Sequence, residues 1–350
     1  MKYTFLNNKI FLISVLSGVL VSSCNSKIKQ QRNVTRSVYY WKSIFKLSGF
    51  EKQKLDSLKI NTIYLKLFDV DWNAASASPV PVAQIQITDK EYLQQKNIIP
   101  TVFITNECIY KINSTQTADV ANKIITLIKS ISAINQFKTV KEIQIDCDWT
   151  VGTKDKYFSI LRTLKLLDST VLFSATIRLH QIKFIAKSGV PPVDKGLLMC
   201  YNMGNLKNPA TNNSIIERNE LKKYIRNLAR YPLPLDVAFP LFEWKVLFRN
   251  GNYKGLIQKL PDSILNKSFA TKKTNTYSFL KDTLVYGYEF KNGDMLRSET
   301  SNYNEIIAAA NEIDQRLANK KVRVSLYHLD SITLSKYTTH ELENMYNSIH

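Results

Sequence analysis

Eight apolar stretches of strand length recur along the chain, most of them followed by a stretch with helical spacing, and few folds accept that rhythm. They are 38–43 (VYYWKS), 62–70 (TIYLKLFDV), 98–105 (IIPTVFIT), 141–149 (KEIQIDCDW), 171–178 (VLFSATIR), 195–203 (KGLLMCYNM), 235–244 (LDVAFPLFEW) and 321–329 (KVRVSLYHL). Helical patterns fall at 50–58, 117–135, 154–167, 181–187, 214–229 and 302–318, with a last one at 338–348. Near-continuous apolar strands separated by helices belong to a parallel sheet covered on both faces. Eight such units in succession imply an α/β fold, the (β/α)8 TIM barrel, over residues 38–350.

Two interruptions qualify the pattern. Residues 71–90 form an Ala/Ser/Pro-rich loop after the second strand. Residues 247–300 separate the seventh strand from its helix, and within them TYSFL, TLVYGYEF and MLRSETS alternate like antiparallel strands around the turn signal KNGD. A small α+β insertion at the C-terminal face of the barrel is expected there.

The segment before the barrel reads differently. Lys2 and Lys9 flank a polar start, residues 10–21 are apolar but short for a membrane span, and Ser22, Ser23 and Cys24 follow. VSSC resembles a bacterial lipobox, which makes 1–23 a signal peptide and Cys24 the acylated first residue of a lipoprotein in the cell envelope. Residues 24–37 then serve as a polar tether, and the lipid alone attaches the chain to a membrane. Without Lys2 and Lys9 the formal charge falls by two, from +19 to +17. Such a field suits an anionic glycan or lipid headgroups, or it is a solvated lysine-rich surface; no aromatic RNA-binding motif accompanies it, and nucleic acid is not an expected partner.

Other chemistry is sparse. Cys108, Cys147 and Cys200 are an odd set without a CxxC, so buried thiols are expected rather than disulfides. The four histidines show no paired spacing, and neither a GxGxxG nor a GxxxxGK[ST] occurs, so no metal and no cofactor are expected. A monomer is expected.

Barrel enzymes work at the C-terminal ends of their strands. There the sequence collects Trp41, Asp69, Asp71, Trp72, Asn106, Glu107, Asp146, Asp148, Trp149, Arg178, His180, Tyr201, Asn202, Glu243, Trp244, His328 and Asp330. Carboxylates among tryptophans suit a polysaccharide or other glycan, whose apolar ring faces stack and whose hydroxyls bond to charged groups. Strand alternation points Gln144, Asp146 and Asp148 into the barrel and Ile143, Ile145 and Cys147 out. On the second strand Tyr64, Lys66 and Phe68 share a face, and a Lys66–Asp146 ion pair is the structural alternative to a catalytic Asp146.

IQIDCDW, LMCYNMG, AFPLFEW and the insertion after strand seven resemble the family 18 glycoside hydrolases, the chitinase-like barrels; YYWKS and IYLKLFDVDW resemble bacterial barrel proteins of glycosidase type. Family 18 carries DxxDxDxE on strand four and M-x-Y-D on strand six. Asp146, Asp148, Met199 and Tyr201 match these motifs. Thr150 stands where the general-acid glutamate is expected, and Asn202 replaces the strand-six aspartate. The resemblance implies a glycoside hydrolase-like lipoprotein acting on or binding a polysaccharide. As a hydrolase it would use Asp148 and Glu243 as the carboxylate pair, with Asp146 and Tyr201 in support. Glu107, a second candidate for the acid, and Asn202 would contact the sugar, and Trp41, Trp72, Trp149 and Trp244 would be available for stacking. The alternative is a non-catalytic glycan-binding or scaffold lipoprotein that has lost the acid.

Overall fold

The computed structural model describes residues 32–265 and 268–350. The signal peptide expected over 1–23, Cys24 and the tether as far as residue 31 lie outside the described residues. Eight parallel strands form the barrel: β1 (Asn33–Tyr40), β2 (Thr62–Asn73), β3 (Asn97–Ile104), β4 (Glu142–Asp146), β5 (Leu172–Arg178), β6 (Lys195–Met199), β7 (Leu235–Pro240) and β8 (Lys321–Tyr327). Each pairs with its successor, and β1 closes the ring by pairing with β8 as well as β2. The strand begins five residues earlier than the sequence suggests. NVTRS, read as the end of the tether, pairs in register with Lys321–Ser325, which satisfies its backbone groups.

Helices follow the strands, the principal ones being α1 (Gly49–Ser57), α2 (Lys90–Gln94), α3 (Thr117–Ile134), α4 (Lys154–Leu167), α5 (Leu179–Lys183), α6 (Arg218–Lys222), α7 (Tyr303–Asp314) and α8 (Thr339–Asn347), with short additional helices at Asn106–Lys111, Ile185–Ser188 and Ser331–Leu334. Local sequence explains where several begin. Ser48 and Glu51 form a capping box at α1, Thr338 and Glu341 another at α8, and Asn302 caps α7. On α3 the residues Val120, Ala121, Ile124, Ile125, Ile128 and Ile131 make one buried stripe against the sheet. Burying each large member contributes about 1.5–3 kcal/mol. The helix expected over 214–229 is instead α6 and a separate 3-10 segment, Ile225–Arg230. Gly196 is required on β6 because a Cβ there would meet Leu235 at 2.7 Å and Ile177 at 2.8 Å.

A bulge in β2 changes one expectation. The register with β3 shifts between Lys66 and Phe68, so alternation breaks. Phe68 and Val70 line an apolar groove with Val120 and Ile124 of α3, while Asp69 joins Lys66 in an ion pair of 2.9 Å. Lys66 therefore pairs with Asp69 and not with Asp146.

The barrel interior is polar over much of its length. Ser37, Thr101, Gln144, Ser174, Thr176 and Ser325 are all buried on the strands. At the N-terminal end Glu142, Lys195, Asp236 and Arg323 form a closed ionic plug, with Arg323 bonded to Glu142 and to the Tyr64 hydroxyl at 2.8 Å each, and Lys195 paired to Asp236. Two acids and two bases balance there, which makes burial of the Glu142 and Asp236 carboxylates tolerable beside the partly exposed Lys195 and Arg323.

The insertion begins at Glu243, four residues before the expected boundary. A sheet of Glu243–Arg249, Asn252–Ile257, Ala270–Lys273, Thr276–Phe279 and Met295–Thr300 is joined by a small hairpin, Thr283–Val285 with Tyr288–Phe290. Among the described residues its helical content is one 3-10 turn, Asp262–Ile264. A buried cluster ties it to the loop after β6. Arg297 bonds Glu299 at 2.6 Å and the carbonyls of Asn208 and Leu206 at 2.8 and 3.1 Å, while Glu299 accepts from the Ser214 and Trp244 side chains.

Candidate functional site

The C-terminal mouth holds a cavity of about 390 Å³ lined by Asp148, Arg178, Leu179, His180, Tyr201, Asn202, Met203 and Tyr224. That volume lies within the ~300–1,000 Å³ typical of small-molecule sites. Three strand ends build it. β4 delivers Asp146 and, just beyond its end, Asp148; β5 ends on Arg178; the segment after β6 carries Tyr201 and Asn202. Asn202 turns the chain with φ +56 and its amide N–H donates to the Ile215 carbonyl at 2.8 Å.

The two aspartates differ sharply. Asp146 is 2% exposed and accepts a short hydrogen bond from Thr176. Burial raises its pKa from 3.8 to about 6; the Arg178 charge opposes the rise and the Asp148 charge adds to it. Asp148, with its side chain 51% exposed, faces the cavity and forms an ion pair with Nε of Arg178. The coulombic pull of Asp146 and Asp148 outweighs desolvation and holds Arg178 firmly charged. His180 is pushed below its ordinary value by partial burial and by the Arg178 charge, with Asp148 opposing the shift. Burial drives the Tyr201 hydroxyl well above the usual phenol range, and that hydroxyl has no hydrogen-bond partner among the described residues.

An aromatic wall continues from this cavity. Ring centroids run from Trp41 to Tyr327 at 5.9 Å, on to Tyr201 at 5.5 Å, to Phe242 at 5.7 Å and to Trp244 at 5.1 Å. Beneath it Tyr39 stacks on Tyr64 at 4.6 Å and donates to Gln144. Trp41 and Trp244 are partly buried in this wall; Lys66 lies 5.6 Å over the Trp41 ring, and the Trp244 N–H is occupied by Glu299 at 2.7 Å.

Several expected residues stand elsewhere. Trp149, read as a stacking surface, is 2% exposed: it follows Cys147 on the outward side, donates to the Ser188 carbonyl at 2.9 Å and stacks on Tyr157 at 5.2 Å. The same alternation that turned the aspartates inward sends it into the helical layer. Glu243 does not end β7, which stops at Pro240. It opens the first insertion strand and pairs with Lys336 at 2.5 Å. Glu107 sits on the short helix Asn106–Lys111, paired with Lys111 at 3.2 Å. Trp72 lies opposite Pro79 in the hairpin that extends β2. None of these four lines the cavity. Thr150 is exposed and bonds to Thr153. Arg178 is the central residue to which the sequence assigns no role; it ends β5, the strand that pairs with β4, and its position there was the available signal, though not its partner. Tyr39 and Tyr327, inward by alternation, were equally legible.

No protein-family model and no curated protein matches this sequence. Solved structures do. A chitinase from Chromobacterium violaceum superposes with a TM-score of 0.54 over 90% of this chain and 98% of its own, at 10% identity. The spore cortex-lytic enzyme SleL of Bacillus cereus gives 0.54 over 91% and 75%, at 13% identity. A group IV chitinase of Ostrinia furnacalis in complex with allosamidin gives 0.54 over 91% and 98%, at 11% identity. Likeness at these identities is one of fold: the chain shares the (β/α)8 barrel architecture of these enzymes.

Proposed function

We propose that this chain is a glycan-binding protein of the cell envelope, anchored through an acylated Cys24, that holds a polysaccharide at the barrel mouth without hydrolysing it. One observation carries the reading: among the described residues Asp148 is the only carboxylate lining the cavity, and Arg178 is paired with it. Hydrolysis by two carboxylates needs them about 5–5.5 Å apart for retention or about 6.5–9.5 Å for inversion, facing one bond. Glu243 and Glu107 are each engaged by a lysine outside the cavity lining, and Thr150 has no ionisable group to replace a general acid. What remains suits recognition. Arg178 and Tyr201 offer donors, Asn202 an amide, and Tyr224 a ring edge, beside an aromatic wall on which sugar faces stack.

The competing hydrolase reading draws support from Asp146, whose raised pKa lies where acid–base groups operate. One experiment separates the two. Oligosaccharides of neutral, acetamido and uronic classes are titrated calorimetrically into wild type, Tyr201→Phe and Arg178→Met, with released reducing ends measured in parallel. Binding that weakens in both variants, without reducing ends from wild type, is the expected result. Turnover by wild type that disappears in Asp148→Asn would establish the hydrolase instead.

A further inference from the structure

In a (β/α)8 barrel the strand starts and the helix ends share one face, opposite the mouth. On that face this chain leaves large apolar side chains in solvent. Ile134 ends α3 at 66% exposure, Leu166 and Leu167 end α4 at 85% and 39%, and Leu172 starts β5 at 51%. The segments that carry them are tied together: Lys129 of α3 pairs with Asp168 just past α4 at 2.9 Å, and the Leu172 N–H donates to the Lys141 carbonyl, one residue before β4, at 3.0 Å.

The charges on the same face have one sign to spare. Lys59, Lys138, Lys141 and Lys320 are exposed in the loops that enter β2, β4 and β8, and Lys321 is exposed at the first position of β8; none has an ion-pair partner among the described residues, and Lys138 Nζ donates to the Gln95 carbonyl at 3.1 Å. The carboxylates nearby are already taken: Asp56 by Lys96, Asp168 by Lys129 and Asp194 by Lys165. Exposed leucines on one face with lysines that lack ion-pair partners are what a surface needs to sit at an anionic lipid interface, the apolar groups among acyl chains and the cations at headgroup level.

The course of the chain points the same way. Asn33 begins β1 on this face, its N–H donating to the Lys320 carbonyl at 2.8 Å. Eight residues lie between it and Cys24, a reach of about 30 Å fully extended.

We propose that the N-terminal face of the barrel, centred on Leu166 and Leu172 and rimmed by Lys138, Lys141, Lys320 and Lys321, docks on an anionic lipid bilayer. The cavity then opens away from the membrane, toward the surrounding glycan. The proposal draws on the anchored reading only through the tether's length; the docking face itself belongs to the barrel.

The test therefore uses unacylated protein. The chain from residue 24, which retains every barrel strand, carries Cys24→Ser and is sedimented with vesicles of phosphatidylcholine alone or mixed with phosphatidylglycerol. Binding to the mixed vesicles only is expected. Adding Lys138→Gln with Lys141→Gln should weaken it about thirtyfold, and Leu166→Glu with Leu172→Glu should weaken it further, with thermal melts confirming that each variant is folded. Equal affinity for both vesicle types, absence of binding, or insensitivity to these changes would overturn the proposal. So would loss of binding in Leu284→Glu with Tyr286→Glu, because those exposed residues lie on the insertion hairpin, beyond the opposite end of the barrel. The mass of the N-terminal peptide from cells reports acylation separately, so failure of the anchor and failure of the docking face give different results.

Discussion

Replacing Asp146 with asparagine isolates the energetic consequence of burying a carboxyl in the barrel mouth. Burial raises its pKa from 3.8 to about 6 in the folded chain, against the opposing charge of Arg178. A raised carboxyl pKa means that folding favours the protonated form. The stability this group contributes is present below pH 3.8, declines as the unfolded chain ionises, and is gone once pH has risen through about 6. Between about pH 4.5 and pH 7.5 the wild type should lose about 2 kcal/mol that the variant does not. Asparagine keeps the essential contact, since its carbonyl accepts the Thr176 hydroxyl proton, and Arg178 keeps Asp148. Urea unfolding at a series of pH values, followed by tryptophan fluorescence, reads the difference directly. The two stability curves should diverge as pH rises, with Asp146→Asn the more stable at pH 7.5. Parallel curves would refute the reasoning, because they would mean that the carboxyl ionises equally freely in both states.

The other charged sites give distinct expectations. Arg178→Met removes the cation that favours ionised Asp146, so the inflection in the wild-type pH–stability curve should move above pH 6, a shift readable by carboxyl ¹³C NMR. Arg323→Met opens the ionic plug and leaves Glu142 and Asp236 facing one remaining cation; a loss of about 3–5 kcal/mol is expected in chemical denaturation. Arg297→Met strands Glu299 in the insertion and should cost a similar amount, with faster protease cleavage in the loop 205–214, whose carbonyls Arg297 holds.

The barrel was legible because its signal is repeated. Each strand announced itself by a run of buried residues, and each boundary error was small beside the eightfold period. The site was legible wherever alternation held, as at Asp146 and Asp148, and where it was applied consistently it would also have removed Trp149 from the mouth. What resisted reading were local events. One extra residue in β2 redirected Phe68 outward and gave Lys66 to Asp69, and nothing in TIYLKLFDV marks a bulge. Glu243 was misplaced because β7 and the first insertion strand are separated only by Leu241 and Phe242, so the two read as one run. Arg178 was visible as a residue but its partner was not, since a side chain's reach to the next strand depends on a register that sequence does not state.

Closure of the barrel has a consequence for how the chain acquires its structure. Ser37 lies opposite Thr62 on one side and Ser325 on the other, so β1 finds its first neighbour early and its second only when nearly the whole chain is present. Contacts between such distant segments slow folding, since the loop between them must close before they repay its entropy. Until Lys321–Tyr327 is in place, β1 and β7 are open edges with unpaired amides, able to recruit any other extended strand. A chain cut short of residue 321 is therefore no barrel lacking a stave but an open sheet with two adhesive borders, and loss of the C-terminal tenth should lead to aggregation.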